Sequence, residues 1–275
     1  MLAALGDMVE DVVVQLGGPI NEASDTLANI VRRRGGSAAN VIETAALMGK
    51  PARFIGQVGT DAIGAALIDE LGASGADVGC VRRGGRSGTI IVLVDHLGER
   101  TMLTDRAACL DLTHPDRSWL DGVSTLHVPF YSFTDRPLAD TATTVIGWAH
   151  ELDVRVSIDV SSVAVIEQLG AAQVVGMLDE LRPDVVMANG DEAAALDITG
   201  PLAGAVTVVK HGGDPVRVYA GSERLMISVP PIESVTDTTA AGDAFAAGYL
   251  TAGDVDLEQA TVAGCQAATR LLTAR

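Results

Sequence analysis

Aromatic residues are scarce in this sequence. Four Phe, three Tyr and two Trp among 275 residues leave Ala, Val and Leu to fill its core. Cysteine is rarer still: Cys80, Cys109 and Cys265 are widely spaced and odd in number. That excludes a disulfide framework or a cysteine metal site and points to a reducing compartment, the cytoplasm by default. Basic residues are also few, 19 Lys and Arg against 36 Asp and Glu, for a net charge of −17. A field of that sign repels phosphate backbones and anionic lipid, so nucleic acid and membrane surfaces are poor partners. No apolar run approaches the length of a membrane span. The N-terminus lacks a basic segment, and Asp7, Glu10 and Asp11 interrupt its apolar residues, so no signal peptide is expected.

What remains is the composition of a compact domain: 48% hydrophobic residues, 20% charged residues and 30 glycines. Its length suits one large α/β unit. Residues 2–5, 12–14 and 27–31 read as short strands, with a Gly/Pro/Asn turn region at 17–21. From Gly36 the apolar residues Ala38, Val41, Ile42, Ala45 and Ala46 recur at helical spacing up to Gly49. A strand at 52–58 follows, then a helix capped by Asp61 that runs to Gly72. Residues 89–94 and 100–104 form an antiparallel-looking pair around a turn at Asp95-His96-Leu97-Gly98. Beyond it strand and helix alternate. Strands are expected at 125–128, 154–158, 185–188 and 206–209, and helices at 136–152, 163–169, 171–181 and 191–196. Residues 217–219 and 225–229 return as a β-pair, and two helices close the chain. Repeated strand–helix units imply a parallel sheet covered on both faces. The strands near 12–34 and 87–106 do not alternate with helices and read as a small β-sheet lid. The main α/β domain is then 1–11, 35–86 and 107–275.

The segment from Asp237 to Phe245, DTTAAGDAF, enters a helix expected at 241–250. A helix N-terminus offers unpaired N–H groups and a positive dipole end, suited to an anion. Small side chains at Ala240, Ala241 and Gly242 let a phosphate approach closely, and Asp243 in the first turn could accept a proton from an attacking hydroxyl. Phosphoryl transfer needs that combination of cradled charge and positioned base. An ordinary helix start with an acid in its first turn accounts for the same residues.

That segment resembles the C-terminal signature of the ribokinase-like (PfkB) carbohydrate kinases, usually Asp-Thr-x-Gly-Ala-Gly-Asp before an aromatic residue. Ala240 stands where the family normally has glycine, which costs roughly 1 kcal/mol or more if the position needs φ > 0. Gly35-Gly36-Ser37-Ala38-Ala39-Asn40 resembles the family's Gly-Gly-x-x-x-Asn segment, and 56–64 the strand-to-helix turn after it. Asn189-Gly190-Asp191-Glu192 resembles its Asn-x-x-Glu, and Lys210-His211-Gly212-Gly213 the segment bordering the nucleotide.

The resemblance implies a three-layer α/β/α fold with a mostly parallel central sheet and a β-lid. It implies ATP as co-substrate with Mg²⁺, and admits a monovalent cation such as K⁺. Asp243 would be the base and the 240–242 N–H groups the anion hole. Asp11, Gly35, Gly36, Asn40 and Arg106 would hold a sugar or sugar acid, with Asp7 and Glu10 competing for the role of Asp11. Thr238, Asn189, Lys210, Gly212 and Gly213 would border the nucleotide, and Glu192 with Asn189 would act on Mg²⁺ largely through water. The triplet Arg32-Arg33-Arg34, with Arg82, Arg83 and Arg86, reads as a solvated rim. The chain stops at Arg275 where many relatives continue, so a reduced nucleotide pocket is expected. A homodimer through the lid edges is a further expectation. A nucleoside kinase of the same fold and a catalytically silent sugar- or nucleotide-binding regulator are the competing readings. The first would want aromatic stacking surfaces, which residues 12–34 and 87–106 lack.

Overall fold

The computed structural model describes residues 1–274 apart from 96, 233, 234, 236 and 254. Strand β1 (Leu2–Leu5) leads into β2 (Val9–Leu16) and β3 (Ala28–Gly35), then α1 (Ser37–Leu47), β4 (Ala52–Val58), α2 (Ala62–Ala73) and β5 (Asp77–Arg83). A second pair, β6 (Thr89–Val94) and β7 (Arg100–Asp105), precedes β8 (Thr125–Pro129) and α3 (Leu138–Glu151). The chain continues through β9 (Arg155–Asp159), α4 (Val163–Leu169), α5 (Ala171–Leu181), β10 (Val185–Asn189), α6 (Gly190–Ala195) and β11 (Val206–His211). It ends with β12 (Asp214–Ala220), β13 (Glu223–Ile227), α7 (Ala241–Leu250) and α8 (Leu257–Thr273).

Two sheets organise these elements. The larger has nine strands in the order β13-β12-β11-β10-β9-β8-β1-β4-β5, parallel from β5 to β11 and antiparallel only at the β11–β12–β13 end. The smaller has four, β3-β2-β6-β7. The chain moves from β1 out to β5 in one direction and from β8 out to β11 in the other, so the order reverses beside β1. In an open α/β sheet such a reversal opens a crevice at the carboxyl ends of the strands.

Period-two alternation divides the core between the two faces. Ala3 and Leu5 of β1, with Val186 and Ala188 of β10, pack with Leu138, Val145 and Ile146 of α3 and Val174 and Leu178 of α5. Leu2 and Ala4, with Val185 and Met187, pack against α1, α2, α7 and α8 on the other face. Burial on both faces is why these strands read as continuous apolar runs, and it makes the domain three-layered.

Most expected elements form, several with the expected limits. The strands at 12–14 and 27–31 are longer than expected, because paired β2 and β3 carry the ladder through polar residues as far as Gly35. Strand β5 was not anticipated. Asp77–Arg83 holds no unbroken apolar run, and as an edge strand it is only partly buried. The turn at 95–98 includes His96, which lies outside the described residues; Gly98 N donates to Asp95 O at 3.0 Å. Asp61 caps α2 as expected, accepting from Gly64 N at 2.8 Å.

Candidate active site

Strands β9, β10 and β11 lie side by side and in parallel, so their carboxyl ends form one row of residues, with Asn189 in register with Lys210 and Asp159 two positions short of Asn189. The row faces a cleft of about 570 Å³ whose other walls are the start of α7, residues of α8 and the chain after β13. Lys210 Nζ donates to Asp159 Oδ2 at 2.6 Å. Burial works against the Lys210 charge, but Asp159 and then Glu192 outweigh it and raise its pKa above the ordinary value.

Asn189 caps α6 in a reciprocal box. Its Oδ1 accepts from Glu192 N at 2.9 Å, and Glu192 Oε2 accepts from Asn189 N at 2.8 Å. Glu192 is 3% exposed. Burial first, and then the charge of Asp159, push its carboxyl well above the usual range. Two hard carboxylates thus face one cleft with a single lysine between them. Their chemistry fits Mg²⁺ held largely through its own water, since that ion takes few direct protein ligands. No group of three or more metal-ligating side chains occurs among the described residues.

Helix α7 begins at the cleft with Ala240 as its N-cap, at φ 61° and ψ 9°. This left-handed turn aims the start of the helix at the cleft. Ala241 N is taken up by Thr238 O at 3.2 Å. The N–H groups of Gly242 and Asp243 meet no acceptor among the described residues. A Cβ built on Gly242 would lie 3.3 Å from Lys210 Nζ, so a cation stands beside the helix N-terminus.

Asp243 is held at both oxygens by α1. Ser37 Oγ donates to Oδ1 at 2.6 Å and Asn40 Nδ2 donates to Oδ2 at 2.8 Å. Burial raises the Asp243 pKa, and these two bonds oppose the rise. α1 owes its approach to two glycines. A side chain on Gly36, at φ 99°, would strike Asp7 O at 2.3 Å, and one on Gly35 would strike Asp11 Oδ1 at 2.3 Å.

That contact places Asp11 against the Gly35 backbone, with Arg33 Nε 3.8 Å from its Oδ2. Burial raises the Asp11 pKa, against the lowering effect of Arg33 and Arg34. Its two sequence competitors are engaged elsewhere. Asp7 accepts from Arg106 Nε at 2.6 Å and Nη2 at 2.9 Å, and Glu10 pairs with Arg32 at 3.2 Å. Arg106 gives its third bond to Thr134 Oγ1 at 3.0 Å.

The arginine triplet is not one solvated rim. Arg32 is exposed, whereas Arg34 turns inward at the end of β3 and its side chain is 2% exposed. Arg33 Nη1 and Arg100 Nη2 reach Asp237 at 3.1 and 2.8 Å, tying both outer regions of the small sheet to the loop before α7. Burial opposes the Asp237 charge, but the bonds from Thr239 and the two arginines hold its carboxyl far below the usual range.

Thr238, Ala240, Ala241, Gly242, Asp243, Asn189, Glu192, Lys210, Gly212 and Gly213 therefore all line the one cleft. Asn40 joins them through Asp243, while Asp11, Gly35, Gly36 and Arg106 lie off its wall. Sequence reasoning missed Asp159, Ser37 and Tyr131, which line it too. The position of Asp159 directly after an apolar strand run was the available signal.

The pfkB family carbohydrate kinase model matches residues 1–274. An ATP-dependent ribose-1-phosphate kinase of Halopiger xanaduensis is 31% identical over 252 residues, which cover 86% of this chain and 80% of that protein. Among solved structures, adenosine kinase from Sinorhizobium meliloti superposes with a TM-score of 0.85 at 22% identity, covering 99% of this chain and 93% of the other. An uncharacterized sugar kinase from Pyrococcus horikoshii in complex with ATP gives a TM-score of 0.85 at 20% identity, covering 100% and 93%. The fold is ribokinase-like, a large mostly parallel sheet between helices with a second, smaller sheet. The chain belongs to the pfkB family of carbohydrate kinases, and it is an ATP-dependent enzyme of that class.

Proposed function

We propose that this enzyme moves the γ-phosphate of ATP onto a hydroxyl of a small sugar or sugar acid, with Asp243 as general base. One observation carries the reading: a carboxylate held at both oxygens by α1 stands in the first turn of α7, beside Lys210 and helix N–H groups that meet no acceptor among the described residues. Asp243 takes the proton of the attacking hydroxyl, and burial brings its pKa nearer the working pH. Of the expected 240–242 cradle, the Ala241 N–H is bonded to Thr238 O, so the Gly242 N–H, joined by that of Asp243, and the Lys210 ammonium stabilise charge on the transferring phosphoryl. Thr238, Asn189, Gly212 and Gly213 border the nucleotide, whose base would lie between the chain after β13 and α8. Mg²⁺ bound with the nucleotide would neutralise phosphate charge, held near Glu192 and Asn189 largely through water.

The acceptor is held by Asp11, Asn40, the Gly35-Gly36 backbone and the Asp7–Arg106 pair. Residues 12–34 and 87–106 act as a lid that excludes water, a role supported by their separate sheet. Ile30, Val31, Met102 and Leu103 of that sheet are about half exposed or more, which supports dimerisation through the lid. A monomer in sedimentation at micromolar concentration would count against the dimer. Cys80, Cys109 and Cys265 are all free thiols, in keeping with a cytoplasmic enzyme, and no described helix is long and apolar enough to cross a membrane.

A coupled ADP-release assay with Mg-ATP tests the reading. Its acceptors are ribose, fructose, 2-keto-3-deoxygluconate, fructose phosphates, ribose 1-phosphate and nucleosides, with and without K⁺. Asp243→Asn should fold, bind ATP and lose turnover by roughly three orders of magnitude or more. Near-normal turnover in that variant would sink the mechanism. A signal with nucleosides alone would establish the nucleoside reading, and absence of ATP binding would favour a silent regulator.

A further inference from the structure

Helix α1 carries Ser37, Asn40 and Glu43 at three-residue intervals, which puts them on one face. Ser37 and Asn40 hold Asp243, and Glu43 holds Arg34. Arg34 comes from the end of β3 and lies across this face. Its Nη2 donates to Glu43 Oε2, and its Nη1 donates to Asn40 Oδ1 at 3.1 Å. Its Nε meets no acceptor among the described residues, so the two terminal bonds are what fix the guanidinium.

A guanidinium only donates and a carboxylate only accepts, while an amide has one end of each kind. Asn40 sits between the two, with Oδ1 toward Arg34 and Nδ2 2.8 Å from Asp243 Oδ2. Turned over, the amide would set its oxygen against the Asp243 carboxylate and its NH₂ against the guanidinium, losing both bonds at once. We propose that Arg34 is a positioning residue for phosphoryl transfer: it locks the Asn40 amide so that Nδ2, and never Oδ1, faces the base. The proposal rests on Asp243 being that base.

The bland account is a buried ion pair that fastens β3 to α1. It predicts a change in stability alone. A positioning role also reaches Asp243, because a donor at Oδ2 favours its ionised form and an oxygen there would favour the protonated one. Asp243 otherwise faces Asp159 and Lys210 from the ends of β9 and β11, Ser37 from α1, and Asp11 from β2 with Arg33 behind it. Arg34 also lowers the Asp11 carboxyl, so loss of its charge alone reaches Asp243, and the Asn40→Ala background isolates the share that passes through the amide.

The test needs no acceptor. Protein labelled with ¹³C at aspartate carboxyls is titrated by NMR, with Asp243→Asn identifying the resonance. Arg34→Met should move the Asp243 midpoint to higher pH. Arg34→Lys keeps a cation beside Glu43 but cannot hold Glu43 and Asn40 together, so it should fold and shift in the same direction. In an Asn40→Ala background Arg34→Met should shift the midpoint far less. With whichever of ribose, fructose or 2-keto-3-deoxygluconate releases most ADP, the acid limb of the kcat profile should follow. The loss should be about tenfold at acid pH and smaller at alkaline pH.

A wild-type Asp243 midpoint in folded Arg34→Lys, or equal shifts with and without Asn40, would overturn the positioning role while leaving the base in place. Normal turnover in Asp243→Asn would remove the base and the positioning role together.

Discussion

Replacing Ala240 with glycine should stabilise this protein without altering its fold. Ala240 sits at φ 61° and ψ 9° with no side-chain cap bond to lose. An L-residue in that left-handed region carries roughly 1–2 kcal/mol of strain from its Cβ, and glycine carries almost none. Glycine is also freer in the unfolded chain, which takes back about 0.4–1 kcal/mol. The net is a gain of about 0.5–1 kcal/mol. At this chain length that amounts to about 1–4 °C in the melting temperature. The bond from Ala244 N to Ala240 O at 2.9 Å involves only backbone and survives the change. The N–H donors at 240–242 survive as well, so turnover should stay within about twofold. Calorimetry on both proteins, backed by urea titration, reads the difference. A variant that melts at the same temperature or lower would refute the reasoning, because the alanine Cβ would then be contributing packing that outweighs its strain.

Two further predictions concern buried ionisable groups. His127 is fully buried, with Nδ1 3.1 Å from Ser157 Oγ, and burial pushes its pKa down to about 4. A depressed histidine pKa contributes its full stability above the unfolded value near 6.5 and loses it as pH falls toward 4. About 3 kcal/mol should therefore disappear across that window. Urea midpoints for His127→Leu should fall less steeply there, and an unchanged slope would refute the assignment. Glu192→Gln can keep the capping bond from Asn189 N but gives up the one from Asn189 Nδ2, and it removes a carboxylate that burial disfavours. The raised pKa makes the native carboxyl stabilising only at low pH, an advantage lost as pH rises through the folded value. The variant should thus melt higher than wild type at pH 8 while losing at least tenfold in rate with Mg-ATP; a lower melting temperature at pH 8 would contradict this.

How far the sequence carries depends on whether a feature is local. Helices α4, α5 and α7 match their expected limits because apolar spacing and end signals lie within each segment. The cradle at 237–245 is local in the same way, a loop running into its own helix. Strand β5 failed that test: Asp77–Arg83 is a strand only because β4 offers it a ladder. Asp159 and Lys210 lie 51 positions apart and meet at 2.6 Å because β10 separates their strands. Nothing in either neighbourhood announces the pair. Arg34 is the sharpest case, since the triplet 32–34 reads as surface charge from composition. Its last member is drawn inward by the turn at Gly35-Gly36, and only the fold sets it against Asn40.

The charge arrangement explains why so acidic a chain can still hold a triphosphate. Its net charge is −17, but the arginines around the small sheet are each committed to a carboxylate: Arg33 and Arg100 to Asp237, Arg34 to Glu43, Arg106 to Asp7. Those pairs fix geometry and leave little positive charge for a ligand. At the cleft the balance differs. Asp159, Glu192 and Asp243 share one lysine, and burial raises the pKa of both Glu192 and Asp243. Such a site is least comfortable when fully ionised, and under the proposed function a divalent cation arriving with its nucleotide would relieve the repulsion that the fold imposes. Affinity for Mg-ATP should accordingly rise with pH as Glu192, whose pKa burial raises to about 7, ionises, with free ATP showing no such gain. Calorimetric titrations with and without Mg²⁺ at pH 6 and pH 8 separate the two cases. Equal pH dependence for both forms of the nucleotide would mean that Glu192 does not act on the metal at all.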